Sequence, residues 1–213
     1  VHLRRNFDLR GEVDLLRKLF TGPEFSKLAT VLVLANLNPS FDALYTFFFT
    51  DRLSFNAEVL ANLSSFATVC ILLAILLYYF ALQSLDVRKL FLTVFSLQAA
   101  VIVFFWLFVA GILKGSGVPD FVFCLFTQGF NSLLGELLIL PIFALWSSLT
   151  PSGLEATSIT AVTGLNNLSS GLSAYFGSLL IWGFKMKKND FANLWISCFI
   201  QLAYALALIC FFF

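Results

Sequence analysis

From Lys27 onward the chain is a succession of long apolar runs separated by short polar interruptions. The runs fall near residues 27–50, 56–83, 90–113, 119–149, 155–183 and 190–213. Each reaches the ~20 residues a helix needs to cross a hydrocarbon core of ~30 Å. Several are longer, which predicts tilt or kinks. The apolar positions are continuous rather than alternating, so helices are expected rather than strands. In lipid, each helix satisfies its own backbone polar groups, which an open strand cannot do. The expected fold is all-α: an integral membrane domain of six transmembrane helices over 27–213, preceded by a leader over 1–26. In that leader Leu9, Val13, Leu16 and Phe20 recur at helical spacing. Residues 1–27 also hold six of the thirteen basic residues (Arg4, Arg5, Arg10, Arg17, Lys18, Lys27). This predicts an amphipathic helix on the membrane surface, with a solvated leader as the alternative. Gly22-Pro23 interrupts the pattern before the first span.

Polar residues within the runs are unevenly shared. The first span carries Asn36, Asn38, Pro39 and Asp42. The fourth carries Gln128, Asn131, Glu136 and Pro141, and the fifth Asn166 and Asn167 among small residues. The third and sixth offer only Gln98 and Gln201 as strongly polar interior groups, with Asn193 near the start of the sixth. A charge near the bilayer centre costs roughly 2.5–3.5 kcal/mol on insertion scales and almost always faces protein or a wet cavity. Glu136 is placed there, which makes a passage or binding site the first hypothesis. The expected arrangement puts the first, fourth and fifth spans around a polar surface. The bulky, aromatic third and sixth spans then lie outside, against lipid. Glu136, Asp42, Asn36, Asn38, Gln128 and Asn131 are the candidate residues of a substrate or proton pathway. Glu136 leads for proton coupling, because a low-dielectric site shifts a carboxyl's proton affinity. Its alternative role is a hydrogen-bonded carboxyl that locks two helices.

Two further patterns bear on packing. The fifth span has rows of small residues four apart: Ser169, Ser173, Gly177 and Ser170, Ala174, Ser178. Such rows let helix backbones approach closely in lipid, and they also suit a thin cavity wall. Pro39 and Pro141 each remove a backbone donor, so the first and fourth spans are expected to kink or break. Polar groups beside broken helices at matching places in a repeat point to a transport site.

Composition sharpens the class. Hydrophobic residues are 60% of the chain and charged residues 12%. Soluble domains run at about 45–50% apolar and about 25% charged. The chain has 27 Phe, and lipid is the fitting solvent for most of them. A net charge of +1 gives no field for nucleic acid. Cys70, Cys124, Cys198 and Cys210 each lie in an apolar run without CxxC spacing, so they read as small buried apolar residues. His2 is the only histidine, and no nucleophile–base pair, metal cluster or phosphate loop is visible. Neither enzyme chemistry nor a cofactor is expected. Asn62-Leu63-Ser64 and Asn167-Leu168-Ser169 match the glycosylation triplet but fall inside predicted spans. With six spans both termini share one side, and that side carries eight basic residues against five (Arg52, Lys114, Lys185, Lys187, Lys188) on the other. The bias predicts termini in the cytoplasm or its organellar equivalent.

The segment Pro39-Ser40-Phe41-Asp42-Ala43-Leu44-Tyr45-Thr46-Phe47-Phe48-Phe49-Thr50-Asp51-Arg52-Leu53-Ser54-Phe55 resembles the seventh helix of folate–biopterin transporters, the BT1 family of the major facilitator superfamily, with Ser54 where that pattern has glycine. Leu149-Thr150-Pro151-Ser152-Gly153-Leu154-Glu155-Ala156-Thr157 resembles the signature opening the family's eleventh helix, and Asn166-Asn167-Leu168 continues it. Asp86-Val87-Arg88-Lys89 is similar to a reduced form of the superfamily's loop between helices eight and nine. The resemblance covers roughly residues 27–183. Pro151, Gly153, Glu155, Thr157, Asn166 and Asn167 are its signature residues. Pro151 ends one helix, Gly153 permits the turn, and Glu155 favours the positive end of the next helix. A capping role for Glu155 is expected ahead of substrate contact.

The resemblance implies a fold of twelve helices, of which this chain matches the second six. The leader then corresponds to the linker between halves. A folate-, biopterin- or pteridine-like solute is the implied substrate, carried by alternating access. One half supplies one wall of a path, so the implied partner is a second transporter half, a homodimer or a larger membrane complex within the lipid bilayer. The alternative reading is a non-transporting structural subunit of a larger membrane complex, such as an organellar one.

Overall fold

The computed structural model describes residues 21–113, 117–186, 191 and 193–212. The leader pattern of Leu9, Val13, Leu16 and Phe20 lies outside the described residues, as do Lys114, Lys187 and Lys188. The described residues form α1 (Pro23–Asn36), α2 (Asp42–Phe47, prolonged by a π turn Phe48–Arg52), α3 (Ala57–Leu77, prolonged by a π turn Tyr78–Leu82), α4 (Val87–Val109), α5 (Asp120–Leu149), α6 (Glu155–Gly183) and α7 (Leu194–Phe212). No strand occurs among them.

Local chemistry sets most boundaries. Pro23 occupies the first turn of α1, where its missing N–H costs nothing. Asn56 caps α3 by accepting from the Val59 N–H at 2.9 Å, and Asp86 caps α4 by accepting from the Arg88 N–H at 3.0 Å. Ser54 closes the turn before α3 at φ 56, in the left-handed region that glycine enters freely.

Four helices are long and apolar enough to cross a membrane: Ala57–Leu82, Val87–Val109, Asp120–Leu149 and Leu194–Phe211. The six continuous spans expected from the sequence are therefore shown only in part. The run at 27–50 is not one helix but two, α1 and α2, separated by Leu37–Phe41. The fifth run does fold as one helix, α6, whose Asn, Ser and Gly content dilutes its hydropathy. By contrast Pro141 neither breaks nor ends α5, which runs through it for 30 residues.

α5 is the central strut, packed against α1, α3, α4 and α6, while α7 packs on α4 and α1 packs on α6. One apolar cluster joins Phe25, Leu32, Val94, Leu138, Ile142 and Trp146. In it the Phe25 and Trp146 rings meet edge-on at 4.7 Å. A second cluster gathers Phe41, Phe48, Phe108, Phe123 and Leu194, with Phe48 and Phe108 edge-on at 6.2 Å. Lipid is as apolar as these side chains, so shape and ring geometry, rather than water exclusion, select the contacts. Phe80 and Trp182 remain 77% and 81% exposed. Such apolar exposure suits surfaces facing acyl chains rather than water. Cys70, Cys124 and Cys198 are buried, but Cys210 is exposed, contrary to the expectation for all four.

Candidate functional site

The site is built on the interruption of the first run. Pro39 has no N–H, and the residue before a proline is biased away from helix. Breaking a helix inside lipid strands several backbone groups, and each must find a partner. The partners come from α6 and α7. The Ser40 N–H donates to the Ser173 carbonyl at 3.2 Å. The Ser173 hydroxyl donates to the Asn38 carbonyl. Gln201 Nε2 donates to the Pro39 carbonyl at 3.1 Å, and the Tyr204 hydroxyl donates to the Leu34 carbonyl at 2.6 Å. Asn36 Nδ2 bridges the Leu32 carbonyl (2.9 Å) and Asn166 Oδ1 (3.0 Å), tying α1 to α6. Gly177 lies directly under the break, where a Cβ would collide with the Ser40 carbonyl oxygen.

The break opens two polar cavities. One, of about 240 Å³, is lined by Asn38, Ser40, Asp42 and Tyr45 with Gln98, Thr127, Gln128, Asn131 and Gln201. The other, of about 330 Å³, is lined by Asn36, Ser40 and Asp42 with Gln98, Asn131, Gly135, Ser170 and Ser173. Ser40, Asp42, Gln98 and Asn131 line both, so the two spaces share one rim. Among the described residues Asp42 is the only carboxylate lining either. Its Oδ2 accepts from the Ser40 hydroxyl at 2.8 Å. Gln98 Nε2 approaches Asn131 Oδ1 at 3.4 Å. Tyr45 donates to Gln201 Oε1 at 2.9 Å and lies 3.1 Å from the Ser197 hydroxyl. Asn38 Oδ1 is buried without a hydrogen-bond partner. A buried acceptor left unpaired costs about 1–3 kcal/mol.

The candidates from the sequence divide accordingly. Asn38, Asp42, Gln128 and Asn131 line the first cavity, and Asn36, Asp42 and Asn131 the second. Glu136 lines neither. At about 100° per residue it stands roughly 140° around α5 from Asn131. Seven residues separate it from Gly129, so the two share one stripe of the helix. At Gly129 an added Cβ would meet Phe66 and the Cys70 Sγ of α3. The helical count thus puts Glu136 on the same side of α5 as Gly129, the side that meets α3.

The expectation that the third and sixth spans lie outside is corrected. α4 supplies Gln98 to the shared rim, and α7 supplies Gln201 and Tyr204 to the break. Single polar residues in bulky helices carry little weight in a composition reading, yet in lipid one side-chain donor answers one stranded carbonyl. Ser40, Tyr45 and Thr127 were also missed as site residues, while Ser173 stood out only as part of a small-residue wall. The available signal was the proline, since a broken helix requires donors nearby. Of the two small-residue rows of α6, Ser169, Ser173 and Gly177 are buried, the latter two under the break, and Ser170 and Ala174 line the second cavity together with Ser173.

The signature segment makes a locked turn. Gly153 adopts φ 96, and its N–H donates to Glu155 Oε2 at 2.8 Å. Trp146 Nε1 donates to the Ser158 hydroxyl at 2.7 Å, and Thr150 Oγ1 lies 2.8 Å from the same oxygen. Pro151 is half-buried, while Thr157 and Asn167 are not buried in the core. Asn166 reaches the break through Asn36. Among the described residues no group of His, Cys, Asp and Glu is arranged to hold a metal.

Known proteins give the chain a context. The chain is 27% identical over 170 residues to "Probable folate-biopterin transporter 5" of Arabidopsis thaliana, covering 78% of this chain and 35% of that protein. It is 24% identical over 203 residues to "Folate transporter 1" of Plasmodium falciparum (isolate 3D7), covering 90% and 38%. It is 27% identical over 158 residues to "Folate-biopterin transporter" of Synechocystis sp., covering 73% and 32%. The chain thus spans well under half the length of these relatives. No solved structure matches it. The profile of the BT1 family matches residues 9–213, so this integral membrane chain, with its interrupted first apolar run and its two polar cavities sharing one rim, belongs to the BT1 family.

Proposed function

We propose that this chain forms one half of the translocation path for a folate- or pteridine-like solute. The observation that carries the proposal is the break at Leu37–Phe41, which opens onto joined polar cavities with Asp42 on their shared rim. α1–α2 and α6 complete six crossings with the four apolar helices. A second half then closes the cavities from the side of α1, α2 and α6. The charge bias of the loops puts the α3–α4 turn on the cytoplasmic-equivalent side. The family relatives named for folate and biopterin support the substrate class.

Asp42 is the residue proposed to meet the solute. A pteridine edge that presents two neighbouring N–H donors matches the two oxygens of one carboxylate. Asn38 lines the same cavity. Asn131, Gln128 and Gln98 supply amides able to donate or accept. Asn36 is proposed to hold the break rather than touch solute, since its amide is shared between Leu32 and Asn166. Glu136 is proposed to act on the pairing of α5 with α3.

The test is uptake of radiolabelled folate by cells expressing the full-length protein. Asp42→Asn is expected to cut uptake at least about tenfold, as loss of a charge-assisted contact does. Glu136→Gln is expected to retain most uptake per folded molecule. Unchanged uptake in Asp42→Asn, with loss in Glu136→Gln, overturns the assignment. Stable co-migration of all the protein with a large assembly, without uptake, favours the structural-subunit reading.

A further inference from the structure

α5 has a second working face. At about 100° per residue Phe126 stands roughly 180° around the helix from Gly135 and roughly 140° from Asn131, with Phe130 on the flank between them. Phe126 and Phe130 line a groove of about 790 Å³ between α4 and α5, bounded at one end by the end of α3 at Leu77 and Leu82. This groove meets the first polar cavity only at Val101, and its lining is otherwise its own.

We propose that the groove holds an acyl chain of an anionic phospholipid whose headgroup sits at Lys89. On α4 the lining residues Lys89, Thr93 and Leu97 recur every four residues, so they form one stripe. From Lys89 to Phe104 the stripe is ~22 Å long at ~1.5 Å per residue. One leaflet's hydrocarbon is ~15 Å deep, half of the ~30 Å core. A chain hanging from a headgroup at Lys89 therefore lies within the groove over its full leaflet depth. The groove wall is free of competing polar groups, because the Thr93 hydroxyl donates to the Lys89 carbonyl at 2.9 Å.

Charge decides between lipid classes. Among the described residues Lys89 is the only charged one lining the groove, and it stands at one end of it, exposed. Among the described residues it makes no ion pair. The Asp86 carboxylate, three residues away, is engaged in capping α4 through the Arg88 N–H. A lone ammonium at a helix start, beside an apolar groove, complements a phosphodiester with no compensating positive group. Basic positions between transmembrane helices recognise anionic headgroups in this way. The occupant is thus a lipid such as phosphatidylglycerol rather than phosphatidylcholine, whose headgroup carries its own cation. The expected leaflet is the cytoplasmic-equivalent one, a detail that rests on the orientation proposed above. The binding itself does not.

Native mass spectrometry of the detergent-purified full-length protein tests the site. The probes are phosphatidylglycerol and phosphatidylcholine with identical acyl chains. The unaltered protein is expected to retain phosphatidylglycerol about fivefold better, the effect of one basic residue near an anionic headgroup. Lys89→Ala is expected to remove that preference and Lys89→Arg to keep it. Leu97→Trp, which fills the groove, is expected to lose both lipids. If Leu97→Trp does not fold, the two Lys89 variants still decide. Equal retention of the two lipids, an unchanged preference in Lys89→Ala, or a dimer cross-linked across Phe126 and Phe130 in place of lipid overturns the proposal. Folate uptake is a separate readout, so failure of one reading leaves the other standing.

Discussion

Pro39 and Pro141 are the same residue in two long apolar runs, and the chain treats them oppositely. At Pro39 the helix comes apart over Leu37–Phe41, while at Pro141 it runs on unbroken from Asp120 to Leu149. The neighbours explain the difference. Pro39 is flanked by Asn36, Asn38, Ser40 and Asp42, and faces Ser173, Gln201 and Tyr204 on other helices. The Ser40 N–H and the Leu34, Asn38 and Pro39 carbonyls near it each have a partner there. Pro141 is flanked by Leu138, Ile139, Leu140, Ile142 and Phe143, and it is buried. A break there would expose carbonyls and amides to apolar surroundings at a cost of several kcal/mol each. Keeping the helix and forgoing one hydrogen bond costs less. In lipid a proline permits a break, and the donors around it decide whether one forms.

The largest effect is expected from closing the space under the break. At Gly177 even a Cβ collides with the Ser40 carbonyl. Gly177→Leu therefore overfills a packed site, at a cost of about 1–3 kcal/mol or more. Gly164→Leu, with nothing within 4 Å of its added Cβ, is expected to be near neutral. Thermal unfolding in detergent measures both. Equal melting temperatures would mean that α6 does not press on the break.

Next come the donors. Ser173→Ala leaves the Asn38 carbonyl without its hydroxyl partner, and Gln201→Leu removes the partner of the Pro39 carbonyl and an acceptor of the Tyr45 hydroxyl. Each is expected to destabilise by about 1–3 kcal/mol, the cost of an orphaned buried polar group. The double variant is expected to be less than additive, because both act on one element. Full additivity would separate the two contacts.

The smallest effects are expected at the prolines themselves. Pro141→Ala returns one backbone donor and is expected to stabilise by up to about 1 kcal/mol. Pro39→Ala is expected to leave the break in place, because Ser173, Gln201 and Tyr204 still hold it. Amide hydrogen exchange over 36–42 reads this directly. Strong new protection in Pro39→Ala would assign the break to the proline alone.

This contrast also marks how far the sequence could be read. Long apolar runs fixed the all-helical class, because run length and membrane thickness are tied directly. The BT1 resemblance rested on Pro151–Thr157, whose turn residues are local. A kink or break at Pro39 was legible, but that Pro39 and not Pro141 would part its helix was not, because the donors that allow it sit 130 or more residues away in sequence, on α6 and α7. Pro39 and Pro141 therefore looked alike. Asp42 and Asn131 were legible as polar groups in lipid. Their meeting with Gln98 on one rim was not, because it depends on how α2, α4 and α5 rotate against one another. Glu136 stands out in the sequence, as a carboxylate mid-helix must. Its stripe, shared with Gly129, follows from counting around α5 only once the α3 contact is known.

The most direct test of the central claim, that the break and its joined cavities form the solute's path, is substrate-protected cysteine labelling. Ser40→Cys, Asn131→Cys, Glu136→Cys and Phe130→Cys would be placed singly in a cysteine-free version of the full-length protein. Excess folate is expected to slow labelling at positions 40 and 131 and to leave 136 and 130 unchanged. Protection at 136 or 130, with none at 40 and 131, would contradict the account.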